Sequence, residues 1–243
     1  MLNWLKRSSA PPGNLPVVDL HSHLLAGLDD GVQSIEEAAQ IIEEFHRLGY
    51  RKVITTPHVM SDFYKNTPEV ILQAKDELIA HLRAKGIPVE IDAAAEYYLD
   101  EALMSQLEKK ERLLTFGNNY LLFETNFMTE PLNLKEFIFT AQTSGYKLIL
   151  AHPERYLYLQ SDIDKVEDLY NRGVYFQMNM SSISGYYSKG AQQLASKLIS
   201  NGWVHFVGSD CHNMKHMELL KSSLMHKNFQ KLLNLPLQNN SLL

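Results

Sequence analysis

His21 and His23 stand one residue apart at the end of the apolar run Val17-Val18-Asp19-Leu20. On an extended chain alternate side chains point the same way, so both imidazoles can leave one side of a strand end and share a metal ion. A lone His-x-His pair is a weak signal, because paired core or surface histidines are common. The rest of the chain strengthens it. Later apolar runs end at His58, Glu96, Glu124, His152 and the pair Asp210 and His212, and Asp30 lies in the loop after the first run. These nine nitrogen and oxygen donors exceed the four to six positions of one ion and suit two or three ions with bridging carboxylates. Imidazole with carboxylate suits manganese, iron or zinc and does not choose among them. Such a cluster lowers the pKa of water towards neutrality and offsets charge on a phosphoryl group under attack. Arg155, close after His152, can hold two phosphate oxygens at once. Without that neighbour it would read as a surface arginine paired with Glu154.

These donors must be brought together from positions nearly the whole chain apart, and the alternation of elements does it. Strand-like runs are predicted at 17–20, 53–56, 89–94, 120–123, 147–151, 174–178 and 204–208. Helices are predicted after each: from the Ser34/Glu37 capping box to Gly49, from Thr67-Pro68 to Lys85, over 101–109, 132–144, 162–172, 189–200 and 217–233. A polar tail is expected from Pro236 onward. Seven strand-then-helix units imply parallel strands covered by helices. Parallel strands put their C-terminal ends on one rim, where barrel enzymes keep their chemistry.

The chain has 243 residues, the length of one α/β barrel, so it is not divided. Residues 1–16 read as a loose N-terminal tail and 17–243 as the single catalytic domain. Apolar residues make up 45% and charged residues 21%, which fits a globular protein with a sizeable core. The net charge of -5 argues against a general nucleic-acid binder. No run approaches membrane-spanning length, no secretory leader is apparent, and a single cysteine fits a reducing compartment, so the expected location is cytoplasmic. The thiol route of tyrosine dephosphorylation needs an arginine six residues after the cysteine, and Cys211 has Met217 there. Cys211 is expected to be a filler between two ligands. His46, His81, His205, His216 and His226 are read as structural or solvated.

The motifs Asp19-Leu20-His21-Ser22-His23, Thr56-Pro57-His58, Ala95-Glu96, Glu124, Ala151-His152-Pro153-Glu154-Arg155 and Ser209-Asp210-Cys211-His212 resemble those of the PHP (polymerase and histidinol phosphatase) family. With the Asp29-Asp30-Gly31 loop they are similar to one branch, the bacterial metal-dependent protein-tyrosine phosphatases of capsule and exopolysaccharide synthesis. The resemblance covers about residues 17 to 233. It implies a distorted (β/α)7 TIM-like barrel and a site for two or three divalent ions, manganese first, with iron, zinc or magnesium as alternatives. His21, His23, Glu96 and Asp210 would hold one ion. Glu96, bridging, with Glu124 and His152 would hold the second, and Asp30, His58 and His212 the third. Arg155 would bind the phosphate, with His58 and His212 as further catalytic candidates. The implied partner is the phosphorylated tail of a bacterial tyrosine kinase, its phosphate removed by metal-activated hydroxide. Tyr98 and Phe127 are expected to contact the substrate ring, within a set of strand-end residues that includes Tyr97, Met128 and Tyr156. The sequence departs from the branch after His58, where Val59 to Tyr64 carries no basic residue before Lys65, and at Lys215, where some relatives have arginine. A phosphatase of small metabolites such as histidinol phosphate is the alternative on the same metal site.

Overall fold

The computed structural model of the chain describes residues 15–243. The expected tail therefore lies outside the described residues except for Leu15 and Pro16, both buried. Short apolar runs form strands β1 (Val18–Asp19), β2 (Lys52–Thr55), β3 (His58–Val59), β4 (Glu90–Ala93), β5 (Glu96–Tyr98), β6 (Tyr120–Glu124), β7 (Lys147–Ala151), β8 (Tyr175–Asn179) and β9 (Phe206–Gly208). Every ladder between them is parallel, in the orders β1-β2-β4 and β3-β5-β6-β7-β8-β9.

The seven expected strands are present, and pairing resumes beyond the expected ends of two of them. β2 and β3 are one run interrupted at Thr56-Pro57, where proline has no N–H for the ladder. β4 and β5 are one run interrupted at Ala94-Ala95. Backbone bonds cross both breaks: Thr56 N–H to Ser22 C=O at 2.7 Å, Ala94 N–H to Thr55 C=O at 3.0 Å and Glu96 N–H to Pro57 C=O at 3.1 Å. Past β9 the chain meets β1 again. Asp210 N–H donates to His21 C=O at 2.8 Å, and His23 N–H donates to Cys211 C=O at 2.9 Å. The ring is thus a distorted seven-stranded (β/α) barrel, as the sequence predicts.

Alternation along the strands divides the core. Val18, Leu20, Ile54, Leu122, Ile149, Ala151 and Phe206 pack together inside the ring. Their neighbours Val53, Leu121, Phe123, Leu148, Leu150, Phe176 and Val207 face the helices. Those helices are α1 (Ile35–Arg47), α2 (Pro68–Lys85), α3 (Glu101–Glu108), α4 (Leu134–Thr143), α5 (Leu157–Gln160), α6 (Ile163–Asn171), α7 (Lys189–Ser200), α8 (Met214–Leu224) and α9 (Phe229–Leu233). Side chains of Ser34, Thr67, Asp100, Asp162, Ser188 and Asn213 cap six of them by accepting first-turn N–H bonds.

Two expectations at the C-terminus are corrected. The single helix over 217–233 is two, because Asn213 caps an earlier start and the chain turns between Leu224 and Phe229. The polar tail is no tail. Residues 239–242 form a 3-10 turn with Asn239 and Leu242 buried. The Asn239 amide accepts from Val207 N–H at 3.0 Å and donates to Val18 C=O at 3.0 Å and Val207 C=O at 2.7 Å. Because β1 is only two residues long, few ladder bonds hold it to β9, and an amide with both a donor and an acceptor edge fills the gap. Higher on the same seam, the fully buried Asp19 carboxylate accepts from Ser209 N–H at 2.8 Å and Ser209 Oγ at 2.9 Å.

Candidate metal centre

His21 and His23 follow β1 and are fully buried. Each is oriented through its Nδ1: His21 against Gln177 Oε1 at 2.7 Å, His23 against Asp29 Oδ2 at 2.7 Å. This turns both Nε2 atoms inward, 3.2 Å apart. Glu96, at the start of β5, lies beneath them. Its Oε2 is 3.2 Å from His21 Nε2, 3.5 Å from His23 Nε2 and 3.1 Å from His58 Nδ1, and its Oε1 is 3.0 Å from His152 Nε2. Glu124, ending β6, places Oε1 3.2 Å from His58 Nδ1 and Oε2 3.9 Å from His152 Nε2. Asp30 Oδ1 is 3.4 Å from His58 Nε2 and 3.5 Å from His212 Nε2.

Asp210 divides its work between its oxygens. Oδ1 is 3.6 Å from His21 Nε2 and 3.5 Å from His23 Nε2. Oδ2 accepts from Arg155 Nη1 at 2.9 Å, Asn179 Nδ2 at 2.7 Å and Tyr187 OH at 3.2 Å. His152 (φ +34°) and Asp210 (φ +51°) adopt left-handed backbone conformations, which cost non-glycine residues energy and are held here at the cluster itself.

All nine candidate ligands therefore meet at one rim. Within it, ligand atoms of His21, His23 and Glu96, of His58, Glu96 and Glu124, and of His23, Asp30, His58 and His212 lie within 4.8 Å of one another. His58 belongs to two of these groups. The donor set fits divalent ions on two counts. Ligand atoms on one ion at about 2.0–2.2 Å stand ~3–3.5 Å apart, and the separations above cluster there. Glu96 Oε2 and His58 Nδ1 are buried and, although 3.1 Å apart, make no hydrogen bond of good geometry, whereas buried polar groups are nearly always paired.

The electrostatics agree. Burial alone would raise the carboxyls, but the neighbouring imidazoles outweigh it and hold Glu96 and Asp210 well below the usual carboxylate range. Burial would lower His58, but Glu96 and then Glu124 push it up to about 10. His152 is lowered, by burial and by the Arg155 charge.

Over the cluster opens a cavity of about 670 Å³, lined by Asp30, His58, Glu124, His152, Asp210 and His212 below and by Met60, Tyr64, Phe127, Arg155, Tyr186 and Tyr187 around the walls. Asn213 and His216 complete it. Arg155 is the one arginine or lysine among these lining residues. Phe127 is placed in the wall as expected, but Tyr98 is not among the lining residues. Tyr97 and Tyr156 are buried and accept backbone N–H bonds from Leu114 and Thr125, and Met128 is exposed.

Sequence reasoning missed several participants. Gln177 and Asp29 orient the first two histidines, and the one signal available was a glutamine inside the apolar run of the sixth strand. His216, read as structural or solvated, lines the cavity with Nδ1 3.0 Å from Asp210 C=O. Tyr64, Tyr186 and Tyr187 lie in loops whose course is set by tertiary packing. Cys211 is a buried filler, as expected, and burial pushes its thiol up.

A family model described as capsular polysaccharide synthesis, CpsB/CapC, matches residues 17–228. The tyrosine-protein phosphatase YwqE of Bacillus subtilis is 28% identical over 199 residues, covering 82% of this chain and 78% of YwqE. The putative tyrosine-protein phosphatase CapC of Staphylococcus aureus is 27% identical over 210 residues, covering 86% and 82%. A crystal structure from the pair YwqE of Bacillus subtilis and CpsB of Streptococcus pneumoniae, described as unique metal-dependent tyrosine phosphatases, superposes with a TM-score of 0.77 at 28% identity over 85% of each chain. A lactonase from Listeria monocytogenes shares the fold alone, with a TM-score of 0.50 at 12% identity over 96% of this chain and 92% of that one.

Proposed function

This chain belongs to the CpsB/CapC family of capsular polysaccharide synthesis, and from that premise we propose that it is a metal-dependent protein-tyrosine phosphatase acting on a bacterial tyrosine kinase of capsule or exopolysaccharide synthesis. One observation carries the reading: a buried set of imidazoles and carboxylates, with orphaned donor and acceptor atoms, forms the floor of an open cavity that holds one arginine. His21, His23, Glu96 and Asp210 would hold one ion, Glu96, Glu124 and His152 a second, and Asp30, His58 and His212 a third, with His58 also within reach of the second. Two or three divalent ions are proposed, with manganese as the first candidate. Bound there, such ions supply Lewis acidity that lowers the pKa of water and offsets phosphoryl charge.

The chain's own residues do the rest. Gln177 and Asp29 fix the Nδ1 edges of His21 and His23 so that each presents Nε2. Arg155 has no second hydrogen bond to protein beyond Asp210 among the described residues, so its remaining N–H groups are available to phosphate oxygens. The walls formed by Met60, Tyr64 and Tyr186 take the phenyl ring. The leaving group is a phenolate whose conjugate acid has a pKa of about 10, so it needs little proton assistance. His58 and His212, at the cavity floor, would have no proton to give while they hold an ion, so their proposed part is to hold it.

The kinase's phosphorylated tail is the proposed substrate segment, and the cytoplasm the proposed location. No helix among the described residues is long and apolar enough to cross a membrane. The test is a side-by-side assay of manganese-loaded protein on phosphotyrosine peptide, phosphoserine peptide and histidinol phosphate, each with a chelator control. Chelator-sensitive turnover that favours phosphotyrosine is expected. A preference for histidinol phosphate would move the protein to the metabolite phosphatases.

A further inference from the structure

The Arg155 guanidinium carbon lies over two aromatic rings at once, 4.7 Å from the Phe127 centroid and 4.4 Å from the Tyr187 centroid. Both distances are well inside the range of cation–π attraction. The rings come from separate elements: Phe127 from the loop after β6, Tyr187 from the segment before α7. Each is itself fixed. Phe127 stacks on His152 (centroids 5.7 Å apart, planes at 23°) and on Tyr156 (5.4 Å, 28°). The Tyr187 hydroxyl bonds to Asp210 Oδ2 at 3.2 Å and lies 3.1 Å from Asn179 Nδ2.

A guanidinium carries its donors in its own plane and is weakly hydrated on its faces. Rings within cation–π distance restrain the group without occupying any donor. One in-plane nitrogen, Nη1, is tied to Asp210 at 2.9 Å, and the side chain keeps 25% of its exposure. The two rings and this bond restrain the guanidinium, and Arg155, Phe127 and Tyr187 all line the cavity.

We propose that Phe127 and Tyr187 are positioning residues that brace the Arg155 guanidinium, so that a single arginine makes an oriented phosphate clamp where, among the described residues, no other arginine or lysine lines the cavity. Phe127 then serves phosphate recognition through Arg155 instead of forming a slot for the substrate ring. The inference rests on the reading of Arg155 as the phosphate ligand. It does not depend on phosphotyrosine being the natural ester, because its probe is inorganic phosphate.

Manganese-loaded protein is titrated with inorganic phosphate by calorimetry, and the metal content of each variant is measured. Phe127→Leu and Tyr187→Leu should each weaken phosphate binding about tenfold with metal content unchanged. Tyr187→Phe, which restores the ring without the hydroxyl, should recover most of the loss seen in Tyr187→Leu. In an Arg155→Ala background, Phe127→Leu should change binding less than twofold, because the group it acts through is gone. If Phe127→Leu costs as much without Arg155 as with it, or costs nothing in either, the brace is refuted. Failure of phosphotyrosine turnover alongside these phosphate results would count against the substrate reading and leave the brace standing.

Discussion

At the scale of single residues, the centre keeps buried atoms, Glu96 Oε2 and His58 Nδ1, without a hydrogen bond. His58, pushed up to about 10 by Glu96 and Glu124 against burial, is protonated near neutrality when no ion is bound. A metal ion must displace that proton. Binding therefore competes with protons at every pH below about 10, and apparent affinity should fall about tenfold per pH unit for each proton displaced. Titrations of metal-free protein at pH 6, 7 and 8, in buffers of different ionisation enthalpy, would show it; an affinity independent of pH would contradict it. Gln177 has no part in the donor set, yet it fixes the His21 ring. Gln177→Leu should lower metal affinity 10–100-fold while the fold survives, read by metal titration alongside circular dichroism. The candidate ligands were legible in the sequence because all but Asp30 follow apolar runs. Gln177 was not, because an orienting bond across 156 residues leaves no local trace; Asp29, six residues from His23, stood in the loop motif but nothing along the chain gave it the orienting part.

At the scale of elements, the strands act as rails that deliver one side chain each, and tolerance is smallest where rails touch. Gly208 ends β9 against His21 and Gln177. A Cβ there would lie 2.7 Å from His21 Cβ and 2.7 Å from Gln177 Nε2, too close for real atoms. Gly208→Ala should destabilise the protein by about 1–3 kcal/mol and shift His21 from its inward setting. Thermal denaturation with metal quantification checks both effects; retention of full metal content would show that the seam can yield. The strand-then-helix order, the caps and the breaker residues were readable from local chemistry. The strands were expected to stop at Thr56 and Ala94; that pairing resumes just beyond, as β3 and β5, was not, since two or three residues are too few to show a pattern.

At the scale of the molecule, the barrel is closed by side chains as much as by backbone. Asn239→Ala would leave Val207 N–H and two carbonyls, of Val18 and Val207, without partners in a buried site. A loss of about 2–4 kcal/mol is expected, seen as a lower denaturant midpoint with the slope unchanged. Cys211, buried and with its thiol pushed up, should resist iodoacetamide in the native protein, and alkylating conditions should leave turnover intact where a chelator abolishes it. The C-terminal plug escaped the sequence reading because a short polar stretch after a proline looks like a tail. Its partners are backbone groups of strands near both ends of the chain, which no pattern along the sequence displays.

That seam also sets a timetable for synthesis. The Asn239 amide reaches Val18 across 221 residues, and β1 carries into the centre the first two histidines that would hold metal. At about 5–20 residues per second, a ribosome needs roughly 10–40 s to make the intervening chain. Throughout that interval the histidines have been translated while the residues that pin their strand have not. The nascent protein is therefore expected to be metal-free and inert until residues 239–242 have been made and released. A chain ending at Leu235 should bind no manganese, and one that did would show that the barrel can close without its last turn.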